Sequence, residues 1–208
     1  DRPRNTHTTE LMMERLLATA ALLLTLQGYA PTSRTVDVAE SKLFWTAHKL
    51  TSDHTGRVAL KGGTIAVDAQ ALVGAEVVMD MNGITCTDIT EQGMNERLVK
   101  HLKSGDFFDV ENHPTASFKA TKVEAIADAV PGRPNYKVTG DLTIKGITKP
   151  NTFDCIFWME GGKARAAATL SFDRAQYEVK YRSGTFFPDI GDKVISDTVE
   201  LTFDVTAR

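Results

Sequence analysis

Apolar and polar side chains alternate along most of the chain from residue 35 onward. A period of two residues is typical of a β-strand with one buried face and one solvated face, because successive side chains point to opposite sides. The C-terminal stretch VELTFDVTA (199–207) shows the clearest alternation, and GAEVVMDM (74–81), YKVTGDLTIKG (136–146) and ARAAATLSFDR (164–174) share it. This pattern predicts antiparallel strands that cover a single core.

Turn-forming residues divide the alternating segments into about eight strands. Predicted turns lie at KGG (61–63), PGRPN (131–135), KGITKPN (145–151) and EGGK (160–163). The predicted strands cover residues near 35–50, 56–68, 72–82, 115–127, 135–146, 150–160, 163–175 and 196–207. We therefore expect an all-β fold, an eight-stranded antiparallel lipocalin-like barrel closed around one interior.

One segment has a different period. In GMNERLVKHLKS (93–104), the residues Met94, Leu98 and Leu102 recur at the spacing of one helix face. The sequence predicts one short α-helix inserted between strands, within a single domain over residues 32–208.

The predicted interior contains several small residues, which leaves two possibilities open. The small residues expected to point inward are Ala47, Ala75, Gly140, Ala166 and Ala168. An eight-stranded barrel is either filled by its own side chains or holds one small ligand. The small residues leave room for a cavity, whereas the inward aromatic residues Phe118, Phe157, Phe172 and Phe203 are large enough to fill it.

The N-terminal segment predicts export. Arg15 precedes a largely apolar run over 16–26, and small residues follow at 28–30. This is the pattern of a secretory signal, and the run is too short to cross a bilayer, which takes about 20 residues. We interpret residues 1–31 as a signal peptide or as residues upstream of the true start, and expect a periplasmic or secreted protein. The alternative is a buried amphipathic helix.

Charge and motifs argue against several function classes. The net charge of −3 disfavours nucleic-acid binding. The sequence contains no HExxH, Gly-x-Ser-x-Gly or phosphate-binding glycine loop, and its acidic residues mostly face outward by parity, so no enzyme chemistry and no cofactor are predicted. His48 and His54 could contribute to a metal site with His101 or His113, but hydrogen bonding to turns is the simpler interpretation.

The two cysteines, Cys86 and Cys155, permit one disulfide in an exported protein. Cys155 lies at alternate positions with Phe153 and Phe157, which favours a buried free thiol.

Four stretches resemble the YceI-like family of exported, lipocalin-like barrels that bind polyisoprenoid lipids. They are FWTAHKLTSDHTGRV (44–58), LVKHLKSGDFFDVENHPTASF (98–118), VTGDLTIKGITKP (138–150) and ISDTVELTFDV (195–205). The resemblance implies a barrel with an internal apolar tunnel that holds a long-chain isoprenoid lipid or a quinone-like molecule.

The predicted ligand-binding residues combine inward parity with this resemblance. The expected apolar contacts are Trp45, Val77, Met79, Phe107, Phe108, Phe118, Leu142, Ile144, Phe157, Leu170 and Phe172. Arg174 follows Phe172 on the inward face at a strand end, so Arg174, together with Lys49, is predicted to meet a polar headgroup at the rim. A salt bridge at the barrel mouth is the alternative for Arg174.

The stretch YRSGTFFPD (181–189) also has two interpretations. Phe186 and Phe187 either form a lid over the barrel mouth or belong to a protein-binding loop. The second function class is accordingly an exported protein-interaction or stress-response module with a filled core. Transient membrane contact is compatible with lipid exchange, and both a monomer and a dimer fit the sequence.

Overall fold

The computed structural model describes residues 30–50 and 52–208. Nine strands and one α-helix follow one another along this part of the chain. In chain order they are β1 Thr32–Thr35, β2 Lys42–Lys49, β3 Asp53–Asp68, β4 Ala71–Cys86, α1 Gln92–Lys103, β5 Thr115–Ala125, β6 Tyr136–Ile144, β7 Ile147–Glu160, β8 Lys163–Asp173 and β9 Ile195–Ala207. Short 3₁₀ turns at 174–177 and 191–193 lie between β8 and β9.

The strands form one antiparallel sheet in the order β1-β3-β2-β9-β8-β7-β6-β5-β4, and a further β3–β4 pairing closes it. Eight strands, β2 to β9, make up the closed ring, and β1 pairs with the far half of β3. The predicted eight-stranded antiparallel barrel with one inserted helix is therefore confirmed.

Two details of the strand prediction are wrong. The predicted strand 35–50 is two strands, because the Asp37 side chain accepts hydrogen bonds from the amides of Ala39 and Glu40 and turns the chain between β1 and β2. The predicted turn at 61–63 lies inside β3, where Gly63 pairs with Val77 of β4. A Cβ on Gly63 would lie 2.3 Å from the Glu76 carbonyl oxygen, so glycine here permits close backbone approach.

The antiparallel order gives the barrel two distinct ends. The helix end carries the β2–β3 turn, α1 with the loop to β5, the β6–β7 turn and the β8–β9 connection 174–194. The turn end carries the segment 36–41 and the connections β3–β4, β5–β6 and β7–β8.

Helix α1 begins after Glu91, whose carboxylate accepts hydrogen bonds from the amides of Gly93 and Met94. Leu102 is buried, whereas Met94 on the predicted apolar face is exposed. The helix therefore packs on the barrel mainly through its last turn.

The predicted signal segment over residues 1–31 lies almost wholly outside the described residues. Within the part of the chain that the structure describes, no helix is both long and apolar enough to span a bilayer.

Gly140 is a position where packing requires the absence of a side chain. A Cβ there would lie 2.4 Å from the Phe118 ring and 2.5 Å from the Lys119 carbonyl oxygen. We expect Gly140→Ala to lower the free energy of unfolding by about 1–3 kcal/mol through overpacking, measured by urea denaturation. The matched control is Gly74→Ala on β4, where the nearest atom is 3.5 Å away. Equal effects of the two substitutions would contradict this account.

Candidate functional site

The barrel interior contains two apolar chambers. The helix-end chamber has a volume of about 70 Å³ and the turn-end chamber about 80 Å³. Residues that line the helix-end chamber include Trp45, Ala47, Val58, Met81, Ile84, Leu102, Phe107, Phe108, Ile144, Phe172 and Val179. Residues that line the turn-end chamber include Leu43, Leu60, Ile65, Ala75, Val77, Phe118, Val138, Phe153, Cys155, Ala166 and Leu170. Small inward residues thus leave space that the aromatic residues do not fill.

The two chambers meet at a waist formed by Met79, Leu142 and Leu201, the three residues that line both. Each of the three is buried, and Leu142 is only 1% exposed. A water molecule needs about 10–15 Å³ of such space. Each chamber therefore has room for several groups of that size. The interior therefore contains two small apolar chambers with these three side chains between them.

Most of the sequence-predicted contacts line these chambers. The helix-end chamber includes Trp45, Met79, Phe107, Phe108, Leu142, Ile144, Phe172 and Arg174. The turn-end chamber includes Val77, Met79, Phe118, Leu142 and Leu170. Strand parity placed the side chains on β4, β6 and β8 correctly, because Val77, Met79, Leu142, Ile144, Leu170 and Phe172 lie in regularly paired parts of those strands.

The Phe107–Phe108 pair enters the interior directly after α1 ends. The amide of Phe108 donates to the Leu102 carbonyl at 3.1 Å, and that of Val110 donates to the Lys103 carbonyl at 2.9 Å. These bonds turn the chain back toward the barrel. Phe107 is buried, and its ring packs 5.2 Å from the Tyr181 ring. The pair therefore closes the helix-end chamber.

Arg174 is not exposed at the rim; it forms the salt bridge that the sequence left as its alternative, with Asp197. Its side chain is buried beneath the β8–β9 connection, with 2% of the residue exposed. The guanidinium donates to four backbone carbonyls, those of Val179 (2.8 Å), Ser196 (2.9 Å), Tyr181 (3.0 Å) and Ile195 (3.0 Å). A guanidinium has five N–H donors, so this network leaves little capacity for a headgroup.

Asp197 extends the Arg174 network into the connection. One carboxylate oxygen lies 3.2 Å from Arg174 Nη2, and the other accepts hydrogen bonds from the hydroxyls of Ser183 and Thr185 at 2.8 Å each. Burial disfavours the Asp197 charge, but these hydrogen bonds and the Arg174 charge outweigh it and lower the pKa of the carboxyl. Burial lowers the pKa of Arg174. This pair, with Arg174 buried and Asp197 half-buried, fixes the connection over the helix end.

Three predicted contacts lie outside both chambers. Lys49 is half-buried at the end of β2, where its amide donates to the Ser52 carbonyl. Phe157 is buried at the turn end against the Tyr136 ring. Phe186 is half-buried under the Lys180 ammonium, which lies 4.9 Å from its ring centroid. Neighbouring Phe187 is 49% exposed, so this aromatic pair lies on the outside of the connection.

Several chamber residues were missed by the sequence analysis. Val58, Leu60, Ile84, Val179 and Leu201 line the chambers. Leu201 was available from the alternation in β9. Val58 and Ile84 lie where the β3–β4 register shifts, and Val179 lies in an irregular connection, so parity could not find them.

Each of the four described histidines approaches an aspartate. The distances are 2.8 Å for His54–Asp88, 2.9 Å for His48–Asp53, 3.0 Å for His101–Asp106 and 4.0 Å for His113–Asp109. No group of three or more metal-ligating side chains occurs among the described residues. Through these contacts with aspartates, the histidines stabilise turns and loops at the helix end.

Both cysteines are buried free thiols, as the sequence favoured for Cys155. Burial raises the pKa of Cys155 to about 12. Burial also raises the pKa of Cys86, whose thiol donates to the Asp88 carboxylate at 3.2 Å. Neither thiol has the lowered pKa of a nucleophile.

The family model of the YceI-like domain matches residues 35–207. The chain belongs to the YceI-like family. A UPF0312 protein of Photorhabdus laumondii is 34% identical over 94 residues, which are 45% of this chain and 45% of that protein. A UPF0312 protein of Vibrio parahaemolyticus is 29% identical over 142 residues, 65% of this chain and 69% of that protein. The Photorhabdus alignment thus spans less than half of that relative's length.

Solved structures share the YceI-like fold at low sequence identity. BcnA of Burkholderia cenocepacia superposes with a TM-score of 0.64 at 21% identity, covering 83% of this chain and 99% of BcnA. A polyisoprenoid binding domain of Saccharophagus degradans, implicated in plant cell wall breakdown, superposes with a TM-score of 0.57 at 18% identity, covering 84% and 97% of the two chains. At these identities the likeness shows the fold.

The Arg174–Asp197 pair predicts a strong dependence of this YceI-like barrel on Arg174. Arg174→Met leaves Asp197 without its counter-charge and four carbonyls without their donor, so we expect a loss of about 3–5 kcal/mol in the free energy of unfolding. Arg174→Lys should recover only part, because an ammonium cannot span the four carbonyls. Urea denaturation measures both. Arg182→Met, at an exposed position of the same connection, is the control, and comparable losses from Arg174→Met and Arg182→Met would refute the network's role.

Asp88 predicts an acid-dependent contribution to stability. Burial opposes its charge, but hydrogen bonds from His54, Thr55 and Cys86 outweigh burial and lower its pKa to about 2. A carboxyl whose pKa is lower in the folded state stabilises above its unfolded pKa of about 3.9, and the contribution disappears as pH falls toward the folded value. Asp88→Asn should therefore flatten the fall in unfolding free energy between about pH 4 and pH 2. Parallel denaturation profiles for the two proteins would exclude this role.

Proposed function

We propose that this YceI-like barrel is a non-catalytic binding protein for a long-chain isoprenoid-type lipid, which it carries or stores in the two chambers. The observation that carries the proposal is the pair of apolar chambers inside the barrel, which adjoin at Met79, Leu142 and Leu201. The polyisoprenoid binding domain of Saccharophagus degradans, which shares the fold, supports the same ligand class.

The chemistry of the walls favours a hydrocarbon chain. Burial of apolar surface contributes about 25 cal/mol per Å². A polar group placed in either chamber would lose its hydrogen bonds to water, at a cost of about 1–3 kcal/mol. The one charged lining residue, Arg174, already donates to the protein backbone. An unsubstituted isoprenoid chain therefore suits the chambers better than a quinone ring, whose carbonyl oxygens need donors.

The volumes imply that the barrel adjusts when it binds a chain. Chambers of about 70 and 80 Å³ are narrow, and a long lipid must displace the waist side chains. Met79 is suited to this movement, because a methionine side chain is unbranched and adaptable. Met81 supplies a second adaptable side chain at the helix-end chamber.

Export belongs to the same proposal. The signal-like segment over 1–31 supports a periplasmic or secreted protein, in which a barrel would shield a water-insoluble lipid between membranes. Native mass spectrometry of the protein from its source compartment, followed by organic extraction, tests the carrier function. A stoichiometric isoprenoid supports it. A clean apo mass without uptake of added polyprenyl lipid favours a protein-interaction module, with the exposed Phe187 loop as its contact surface.

A substitution of Leu142 tests lipid binding most directly, because this residue lines both chambers. Leu142→Arg puts a charge at the waist, so we expect lipid co-purification to fall at least tenfold, as measured by extraction and mass spectrometry. Asp141→Arg introduces the same side chain at the exposed preceding position and should leave lipid content unchanged. Far-UV circular dichroism checks folding, and Ala166→Leu offers an uncharged obstruction of the turn-end chamber if Leu142→Arg does not fold. Unchanged lipid content in folded variants would contradict the proposal.

A further inference from the structure

The barrel wall is interrupted between β2 and β3. The β2–β3 ladder ends at the Phe44–Arg57 pair, and the β1–β3 ladder starts at Thr35–Thr64. The β3 segment 58–62 lies between these two ladders. Main-chain hydrogen bonds hold strands together, so a stretch between ladders opens at lower free energy than the continuous wall.

The other side of the same β3 segment is irregular too. The β3–β4 pairing moves from Arg57–Thr85 to Ala59–Asp80, so the β4 residues 81–84 bulge out of register. On its other side β4 stays paired, because the amide of Met81 donates to the Pro114 carbonyl and continues the β4–β5 ladder. The weakest part of the ring thus lies around residue 58 of β3.

A surface groove of about 500 Å³ follows this interruption. We call it the lateral groove; its lining is Val38, Ser41, Lys42, Leu43, Arg57, Val58, Ala59, Leu60, Gly83, Thr85, Cys86 and Thr87. Leu43 and Leu60 also line the turn-end chamber, and Val58 also lines the helix-end chamber. These three residues therefore border both the groove and the interior.

The lateral groove opens beside the waist. Leu60 pairs across the ladder with Met79. The groove residue Leu43 lies two positions before Trp45 on β2, and Trp45 pairs with Leu201. Met79 and Leu201 belong to the waist. A chain that passes between Leu43, Val58 and Leu60 consequently reaches the point from which both chambers are accessible.

The charged side chains that line the lateral groove are all positive. Lys42 and Arg57 are its only charged lining residues, and both are exposed. Among the described residues neither forms an ion pair with a carboxylate. Asp204 lies opposite Lys42 in the ladder but contacts the Arg165 guanidinium at 3.4 Å. The Arg57 guanidinium lies over the Phe44 ring at 5.2 Å, which holds it at the groove edge.

We propose that the lateral groove binds the anionic headgroup of the lipid cargo through Lys42 and Arg57, while its apolar chain enters the chambers between Leu43, Val58 and Leu60. This inference rests on the proposed lipid-binding function and supplies the headgroup site that Arg174 cannot form. Charge-assisted hydrogen bonds from a lysine and an arginine suit a phosphate or a carboxylate. The exposed Val38 extends the apolar border of the groove.

Binding of matched C20 lipids tests the groove. The delipidated protein is titrated with geranylgeranyl monophosphate, the corresponding carboxylic acid and geranylgeraniol. The readout is tryptophan fluorescence with Trp158→Phe in every variant, so that the signal comes from Trp45, which lines the helix-end chamber. The wild type should bind at least one anionic lipid more tightly than the alcohol. Tighter binding of the monophosphate than of the acid identifies a phosphate site, and similar affinities identify a general anion site.

The variant Lys42→Glu/Arg57→Glu should bind the preferred anionic lipid at least tenfold more weakly and the alcohol within twofold of the wild type. Lys100→Glu/Arg133→Glu makes the same change of net charge at exposed positions outside the groove and should have little effect. Lys42→Gln/Arg57→Gln removes the charges without reversal, which preserves the test if the glutamate variant does not fold.

Equal weakening by the groove and control variants, or equal loss of alcohol binding, would overturn the headgroup site while leaving lipid binding intact. A wild type without preference for either anionic lipid would overturn it as well. Failure of the wild type to bind any of the three lipids would instead reject the proposed function itself.

Discussion

Pairing between β3 and β4 is the constraint on which this structure depends. Both strands are sixteen residues long, and their ladder joins the two edges of what would otherwise be an open sheet. An open edge exposes unpaired backbone groups and invites association with other chains. Closure removes that edge and forces every inward side chain to face a common interior. The chambers, their waist and their apolar walls all follow from this closure.

A closed barrel still needs its ends covered, and here a buried charge performs that task. Removing Arg174 from water is unfavourable unless its donors are satisfied. Two carbonyls of the β8–β9 connection, Val179 and Tyr181, and two at the start of β9, Ile195 and Ser196, satisfy them. The irregular connection thereby gains one defined path, and it holds Tyr181 against Phe107 at the chamber. Arg174, which the sequence predicted at the rim, therefore fixes the cover over the helix end of the barrel.

Sequence alone predicted the architecture well because one signal, alternation, is repeated in nearly every strand. Inward residues such as Val77, Met79 and Leu142 followed directly from it. The alternation of a strand predicts which face a side chain lies on, but not which segment covers that face. It therefore placed Arg174 on the inward face correctly and could not predict that the β8–β9 connection covers it. Breaks in a ladder cannot be predicted from alternation either. Val58 lies in a strand that looks regular in sequence, and only the strand pairing shows that it has no partner on β2. The positions of the strands and their inward faces were predictable, whereas the covering connection and the interruption between β2 and β3 were not.

The interruption between β2 and β3 and the closure of the barrel by β3 and β4 both affect how easily a molecule could enter the interior. A barrel with continuous ladders and a fixed cap would hold a lipid but would exchange it only by extensive unfolding. Interrupting the hydrogen bonds of a single β3 segment concentrates the loss of stability at one place, away from the Arg174 network. The unpaired cations Lys42 and Arg57 remain hydrated there, so they add no desolvation cost to the apolar interior. Under the proposed function, the apolar chambers offer a headgroup no polar partner, so the headgroup would be recognised at the barrel wall, where it stays in contact with water.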